Sequence, residues 1–101
     1  MSKLNTNKSE FLCLDSYEAE KASSIFSKQK DDTLFVSEIV KIIGSEVVVR
    51  LHDGSHHSIL LKDEENAFQL SVLFRNIKET NGNISETIFN DDRVVILWNH
   101  H

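Results

Sequence analysis

The fold is decided by residues 33–61, TLFVSEIVKIIGSEVVVRLHDGSHHSILL. This stretch is rich in β-branched residues and contains two turn signals, a pattern that favours three consecutive strands. Gly44-Ser45 is typical of a two-residue type II′ turn, in which glycine supplies the positive φ. Asp53-Gly54 marks the second turn. We therefore predict a three-stranded antiparallel meander at the centre of the chain.

The first of these strands, predicted over 34–43, has a helical alternative. Its apolar residues also follow the i, i+3, i+4, i+7 spacing of an amphipathic helix: Val36, Ile39, Val40 and Ile43. We prefer the strand because a hairpin turn follows at once. Charges interrupt this strand only at Glu38 and Lys41, so its edge could accept another chain by β-augmentation.

The second turn sets the register of the other two strands. A two-residue loop would pair His52 with Ser55 and leave both faces mixed, whereas a three-residue loop with a Gly bulge pairs Leu51 with Ser55. The bulged register places on one face Val47, Val49, Leu51, Ile59 and Leu61, and on the other Arg50, His52, His56 and Ser58. We predict the bulged register because it buries more apolar surface.

A helix is predicted on each side of the meander. The first covers 16–28, where Asp15 and Glu18 have the spacing of a capping box. Its apolar residues are Ala19, Ala22, Ile25 and Phe26, with Glu18 mostly outside that face. The second lies within 63–80, between an acidic start and the helix stop Asn81-Gly82. Its buried face would be Ala67, Leu70, Leu73, Phe74 and Ile77. A strand remains the alternative for 67–74, because its apolar residues also alternate.

The remaining segments complete an α+β domain. We expect residues 1–10 to be flexible, because they are polar and terminal, and 11–14 to form either a strand or packed coil. Strands are predicted over 84–89 and 93–98, joined by a turn at 90–92. The predicted fold of 1–101 is a single domain: N-terminal helix, three-stranded antiparallel meander, second helix and C-terminal β-hairpin. Its helices would pack on one face of a strongly bent sheet.

The charge of the chain points away from nucleic acid. The formal net charge is −5, and residues 63–101 carry seven acidic and three basic groups. Binding to phosphate backbones depends on Lys and Arg, and the sequence shows no basic stripe. An acidic final third suits a basic protein partner, although it also serves solubility.

No catalytic, cofactor-binding or metal-binding residue is predicted, and we do not expect an enzyme. Cys13 lies in an apolar run, where a thiol is usually inert. His52 and His56 share a face near one hairpin tip, but no further ligand is placed by the sequence to complete a metal site. The glycines are isolated, so no phosphate-binding loop is present.

The expected location is the cytoplasm. The first ten residues lack an apolar signal region, and no stretch approaches the roughly 20 apolar residues that span a bilayer. The chain has one cysteine, so it forms no internal disulfide, which fits a reducing compartment.

Residues 43–54 resemble the opening strands of Sm-like small barrels, which often show Gly, alternating apolar residues and Asp-Gly. The likeness covers about a dozen residues. The acidic final third and the intervening helix do not fit an RNA-binding ring, so we do not place the chain in that family.

The function we predict is a small acidic protein-interaction module, such as an inhibitor, immunity-type or adaptor protein. It would bind a basic protein partner stoichiometrically, or form a homodimer. The predicted partner-binding residues are Asp63, Glu64, Glu65, Phe68, Val72, Asp91 and Asp92. One alternative is a β-barrel-like nucleic-acid module using Arg50, His52 and His56. Another is a small metal protein or enzyme using the hairpin histidines.

Overall fold

Two helices and six strands form the part of the chain that the structure, a computed structural model, describes: residues 6–27, 36–80 and 82–99. In chain order the elements are β1 (Thr6–Leu12), α1 (Ser16–Ser27), β2 (Val36–Ile43), β3 (Glu46–Leu51), β4 (His56–Leu60), α2 (Glu64–Glu79), β5 (Asn83–Asn90) and β6 (Arg93–Asn99). The α+β class and the predicted order of helix, meander, helix and hairpin are confirmed.

The strands form two antiparallel sheets that meet at one bridge. One sheet has the order β1-β6-β5 and the other β2-β3-β4. Beyond the end of β1, Cys13 pairs with Leu61 beyond the end of β4. Leu14 N–H donates to Leu60 O at 2.9 Å, and Lys62 N–H donates to Leu12 O at 2.9 Å. The chain after β1 therefore joins the first sheet to the second.

The meander has the predicted bulged register. Leu51 N–H donates to Ser55 O at 2.9 Å, and Gly54 N–H donates to Leu51 O at 3.0 Å. Gly54 has φ of +91°, in the region that favours glycine. The five side chains predicted to face inward are all buried: Val47, Val49, Leu51, Ile59 and Leu61. The choice of register by buried apolar area was correct.

A bulge that the sequence did not reveal lies in β2. The pairs on either side of it are Ile39↔Val49, Lys41↔Val48 and Ile42↔Val47, so Val40 is an extra residue. Side chains of directly paired residues share a face, and Val47 and Val49 face the core. Ile39 and Ile42 therefore both lie on the core side, although they are three residues apart. The strand replaces the helical alternative over 36–43, and residues 34–35 lie outside the described ranges.

Helix α2 has the predicted capping and buried face. Asp63 is its N-cap, and the Asp63 carboxylate accepts from Asn66 N–H at 2.9 Å. At the other end, Gly82 N–H donates to Ile77 O at 2.7 Å. The predicted apolar face is buried throughout: Ala67, Leu70, Leu73, Phe74 and Ile77. The helix is confirmed over the strand alternative for 67–74.

Helix α1 begins as predicted but places one side chain differently. Asp15 Oδ1 accepts from Glu18 N–H at 2.9 Å, which caps the helix. Glu18 was expected mostly outside the buried face, and this was wrong, because its side chain is only 8% exposed. Its Oε1 accepts from Leu60 N–H at 3.0 Å and lies 3.0 Å from Lys21 Nζ. Helix α1 is thereby tied to strand β4.

The expectation of a flexible N-terminus is corrected for residues 6–10, which belong to β1. This strand pairs with β6 from Thr6↔Asn99 to Leu12↔Arg93. This polar sequence forms a strand because it pairs with the apolar strand β6. The signal is not local, since β6 is far from β1 in the sequence. Residues 1–5 lie outside the described ranges.

One hydrophobic core lies beneath both helices and both sheets. The rings of Phe26 from α1 and Phe74 from α2 meet at a centroid distance of 5.8 Å. Val94 and Ile96 of the central strand β6 belong to the same cluster. Neither described helix is long and apolar enough to cross a membrane.

Candidate partner-binding surface

The backbone around Cys13 brings separate acidic segments together. Cys13 N–H donates to Asp92 O at 2.7 Å, while the same residue pairs with Leu61. The β5–β6 turn therefore lies on one side of 12–14, and the start of α2 lies on the other. Since neighbouring strands are about 4.8 Å apart, the backbones of Asp92 and Leu61, on the two sides of Cys13, lie roughly 10 Å apart.

We define the acidic surface as the six carboxylates carried by these segments and by Asp15, which follows the 12–14 stretch: Asp15, Asp63, Glu64, Glu65, Asp91 and Asp92. Five of them are exposed and Asp92 is half-buried. The sequence analysis names five of the six as partner-binding residues and assigns Asp15 only a capping role. Two basic residues, Lys62 and Arg93, adjoin these segments in the sequence. Six carboxylates outnumber them, so negative charge still dominates the surface.

Leu14 provides an apolar group within the acidic surface. Its side chain is 56% exposed, between buried Cys13 and the cap residue Asp15. Tyr17, one residue into α1, is 68% exposed. Sequence reasoning treated 11–14 as a single apolar run and missed Leu14. The available signal was the alternation of side chains along a strand, in which consecutive residues face opposite sides. Continued past Cys13, this alternation places Leu14 on the side opposite to the buried thiol.

The two predicted apolar anchors on α2 differ in exposure. Phe68 is 57% exposed, one turn after Glu64 and Glu65. Val72 is half-buried, and it lines a groove that also contains Trp98. Phe68 is therefore open to a partner, whereas Val72 is partly used by the packing of α2 against the first sheet.

Two acidic residues also have structural roles. Two hydrogen bonds from Asn66 hold the pKa of Asp63 below its ordinary value: the larger effect comes from the backbone N–H and the smaller from the side-chain amide. Asp63 therefore remains charged at neutral pH. Asp91 has φ of +55°, in the left-handed region of a two-residue turn. Substitutions at these positions have to respect the cap and the turn.

Cys13 supplies no nucleophile. Its side chain is fully buried, and burial raises the pKa of its thiol to about 12, with further contributions from the charges of Glu18, Asp92 and Asp15. A thiol in this state stays protonated near neutral pH, and only the thiolate is reactive. Cys13 is a packing residue at the junction of the two sheets.

The turn after β3 contains serine, histidine and aspartate in hydrogen-bond contact. Ser55 Oγ donates to Asp53 Oδ1 at 2.6 Å and lies 3.1 Å from His57 Nε2. Because the Ser55 hydroxyl gives its proton to Asp53, His57 Nε2 has to be the donor toward Ser55 Oγ. A catalytic triad needs the histidine to accept from serine. This arrangement therefore stabilises the turn and does not activate Ser55.

The other hairpin histidines lie on the exposed side of the meander. His56 is paired across the strands with Arg50, and both are exposed, as is His52 in the turn. Over 6–27, 36–80 and 82–99, no three His, Cys, Asp or Glu side chains are arranged to hold a metal ion.

The fold and this surface define the class: a small α+β protein of two three-stranded sheets, whose junction at Cys13 adjoins acidic segments and the exposed Leu14. No family model, curated protein or solved structure matches the chain. Function is therefore inferred from the surface itself.

Proposed function

We propose that this chain is a small acidic protein-interaction module of the cytoplasm. It acts by stoichiometric binding to a basic protein partner, in the manner of an inhibitor, an immunity-type protein or an adaptor. The observation that carries the proposal is the convergence of three acidic segments around exposed Leu14. These segments are Asp15, 63–65 and 91–92.

The acidic surface and its apolar groups contribute differently to such binding. Clustered charge speeds association with an oppositely charged partner and suppresses wrong partners. Apolar side chains that become buried at the interface supply most of the affinity. Leu14 and Phe68 are suited to that role, because each is more than half exposed and has acidic residues within four positions in the sequence.

Solubility is the competing explanation for the negative charge. It requires net charge, but it does not require that carboxylates from distant segments be brought together around an exposed leucine. A direct test must therefore change the location of the charge while keeping its amount.

Two variants with equal charge separate these explanations. The first neutralises the acidic surface with Glu64→Gln, Glu65→Gln and Asp91→Asn. Asn tolerates the positive φ at position 91, and the caps Asp15 and Asp63 are left intact. The control neutralises three exposed carboxylates elsewhere: Glu20→Gln, Glu79→Gln and Glu86→Gln.

Each protein is immobilised and exposed to an extract of its native cell, at low and at high salt. We expect the wild type and the control to retain the same basic protein, and the surface variant to lose it. Raising the salt should weaken the wild-type complex, because exposed charges are screened. Equal retention by the surface variant and the control would remove the acidic surface from the binding site.

A further inference from the structure

A groove separates the edge strand β2 from helix α2, on a different part of the molecule from the acidic surface. It encloses about 320 Å³ and is lined by Ile39, Ile42, Ser71, Phe74, Arg75 and Lys78. Phe74 forms part of its floor, with 7% of its side chain exposed, while Ile42 remains 43% exposed. The groove is thus apolar at its base and open to solvent.

The bulge in β2 creates the apolar wall of this groove. Without the extra residue Val40, Ile39 and Ile42 would point to opposite faces, because side chains alternate along a regular strand. With the bulge, both lie on the core side, facing α2. Bulges are frequent next to binding sites, where they redirect a side chain.

The outer edge of β2 offers backbone groups to a ligand. The order of the second sheet ends at β2, and no other described strand pairs with that edge. Ile43 and Glu46 are paired across the two-residue turn, and residues in this position of a hairpin form a hydrogen-bonded pair. Since hydrogen-bonded pairs alternate along an antiparallel ladder, the N–H and C=O of Ile42 point away from β3.

The rim of the groove is basic in a chain whose net charge is −5. Arg75 and Lys78 are one turn apart on α2, and both are exposed. Neither makes an ion pair with another described residue. The groove therefore complements a ligand that carries negative charge beside an apolar group.

We propose that this groove binds an extended acidic peptide segment of a partner protein, which adds a strand to the edge of β2. The peptide forms main-chain hydrogen bonds with Ile42 and places an apolar side chain between β2 and Phe74. A carboxylate of the peptide meets Arg75 and Lys78. A second copy of the chain fits less well, because two-fold pairing through β2 brings two basic rims together.

This site is independent of the acidic surface, and its ligand has the opposite charge. The probe is a fluorescein-labelled octapeptide in which valine alternates with aspartate, and the control peptide has lysine in place of aspartate. Titration of the ¹⁵N-labelled protein should shift the backbone amides of 39–43 and 75–78. The lysine peptide should leave them unchanged.

Charge reversal tests the basic rim. Lys78→Glu should weaken binding of the aspartate peptide by roughly twofold to fivefold, the range expected for losing an exposed ion pair. The matched control is Lys62→Glu, an equally charged change at an exposed lysine before the opposite end of α2. It should leave peptide affinity unchanged. Equal effects from both variants would overturn the contact with Arg75 and Lys78.

Proline substitution tests the strand edge. Ile42→Pro removes the outward N–H of Ile42. Phe89→Pro is the control: Phe89 lies in the edge strand β5, at the same distance before a two-residue turn as Ile42 in β2. The two side chains are 43% and 44% exposed. Ile42→Pro should abolish peptide binding while Phe89→Pro retains it. If Ile42→Pro unfolds, the amide shifts and Lys78→Glu decide the outcome.

Three results would overturn the proposal. The amides that shift could lie outside 39–43 and 75–78, or the lysine peptide could bind as tightly as the aspartate peptide. Sedimentation could instead show a dimer whose contacts include the β2 edge, which would assign this edge to a second copy of the chain. None of these results bears on the acidic surface, which is tested by a separate set of variants.

Discussion

Glu18 in helix α1 accepts a hydrogen bond from the backbone N–H of Leu60 in strand β4 at 3.0 Å. The two residues are 42 positions apart in the sequence. Lys21 Nζ lies 3.0 Å from the same Glu18 oxygen, so the buried carboxylate is compensated by one cation and one backbone donor. This contact fixes α1 against the second sheet.

We expect Glu18→Ala to lower the free energy of unfolding by about 1–3 kcal/mol, because Leu60 N–H loses its acceptor in a partly buried position. Glu18→Gln should cost less, since its amide oxygen can still accept from Leu60. Urea denaturation measures both values. Glu20→Ala, at an exposed position of the same helix, is the control and should change stability by less than about 0.5 kcal/mol. Similar losses at both positions would contradict a specific role for Glu18.

Asn66 should stabilise the protein through a second long-range contact. Its Oδ1 accepts from Leu12 N–H at 2.8 Å, and its amide donates to Asp63 Oδ1 at 2.8 Å. Asn66→Ala should therefore cost about 1–2 kcal/mol, whereas Gln69→Ala at an exposed position of the same helix should cost much less. Thermal and urea unfolding would measure the difference. Equal stability of the two variants would show that the Leu12 contact contributes nothing.

Cys13 should make stability depend on alkaline pH. The thiol has an ordinary pKa of 9.0 and a folded pKa of about 12, so the unfolded chain ionises first. Stability should fall as pH rises above the unfolded pKa and continue to fall toward the folded pKa. Between pH 8 and pH 10 the loss from this group is about 1.4 kcal/mol.

The measurement for Cys13 is the difference between wild type and Cys13→Ala, since other groups also titrate in this range. The difference between the two proteins should shrink between pH 8 and pH 10. A thiol reagent at pH 8 should modify Cys13 only after denaturation. Rapid modification of the native protein would show that the thiol is accessible.

Substitution of the glycines in the two meander turns should lower stability, because both glycines have a positive φ. Gly44 has φ of +58° and Gly54 has φ of +91°, yet a Cβ would meet no atom within 4 Å at either position. Alanine should therefore cost about 1–2 kcal/mol at each site through backbone strain alone. Gly44→Asn should cost less than Gly44→Ala, because Asn tolerates the left-handed region. Unchanged unfolding midpoints for both alanine variants would contradict this explanation.

Local signals in the sequence predicted much of the fold. Asp63 caps α2 as its position implied, and the bulged register of β3 and β4 followed from comparing the buried area of two pairings. These features depend on neighbours close in sequence. Strand β1 could not be predicted in the same way, because its residues are polar and its partner lies at the other end of the chain.

The candidate surface was predicted only in part for the same reason. Acidic residues at 63–65 and 91–92 were identified individually, but their convergence depends on Cys13 contacting both Asp92 and Leu61. The exposure of Leu14 depends on that junction as well. The bulge at Val40 had no signal in composition, since every residue around it is an ordinary strand former.

The pairing of Thr6 with Asn99 sets the order in which the two sheets can form during synthesis. The meander β2-β3-β4 joins neighbouring segments, so it can form as soon as β4 leaves the ribosome. The sheet β1-β6-β5 has to wait for β6, and with it comes the contact between Asp92 and Cys13. A chain that lacks β6 would therefore not bring 91–92 to Cys13, and a partner that needs both acidic segments would distinguish it from a chain that contains β6.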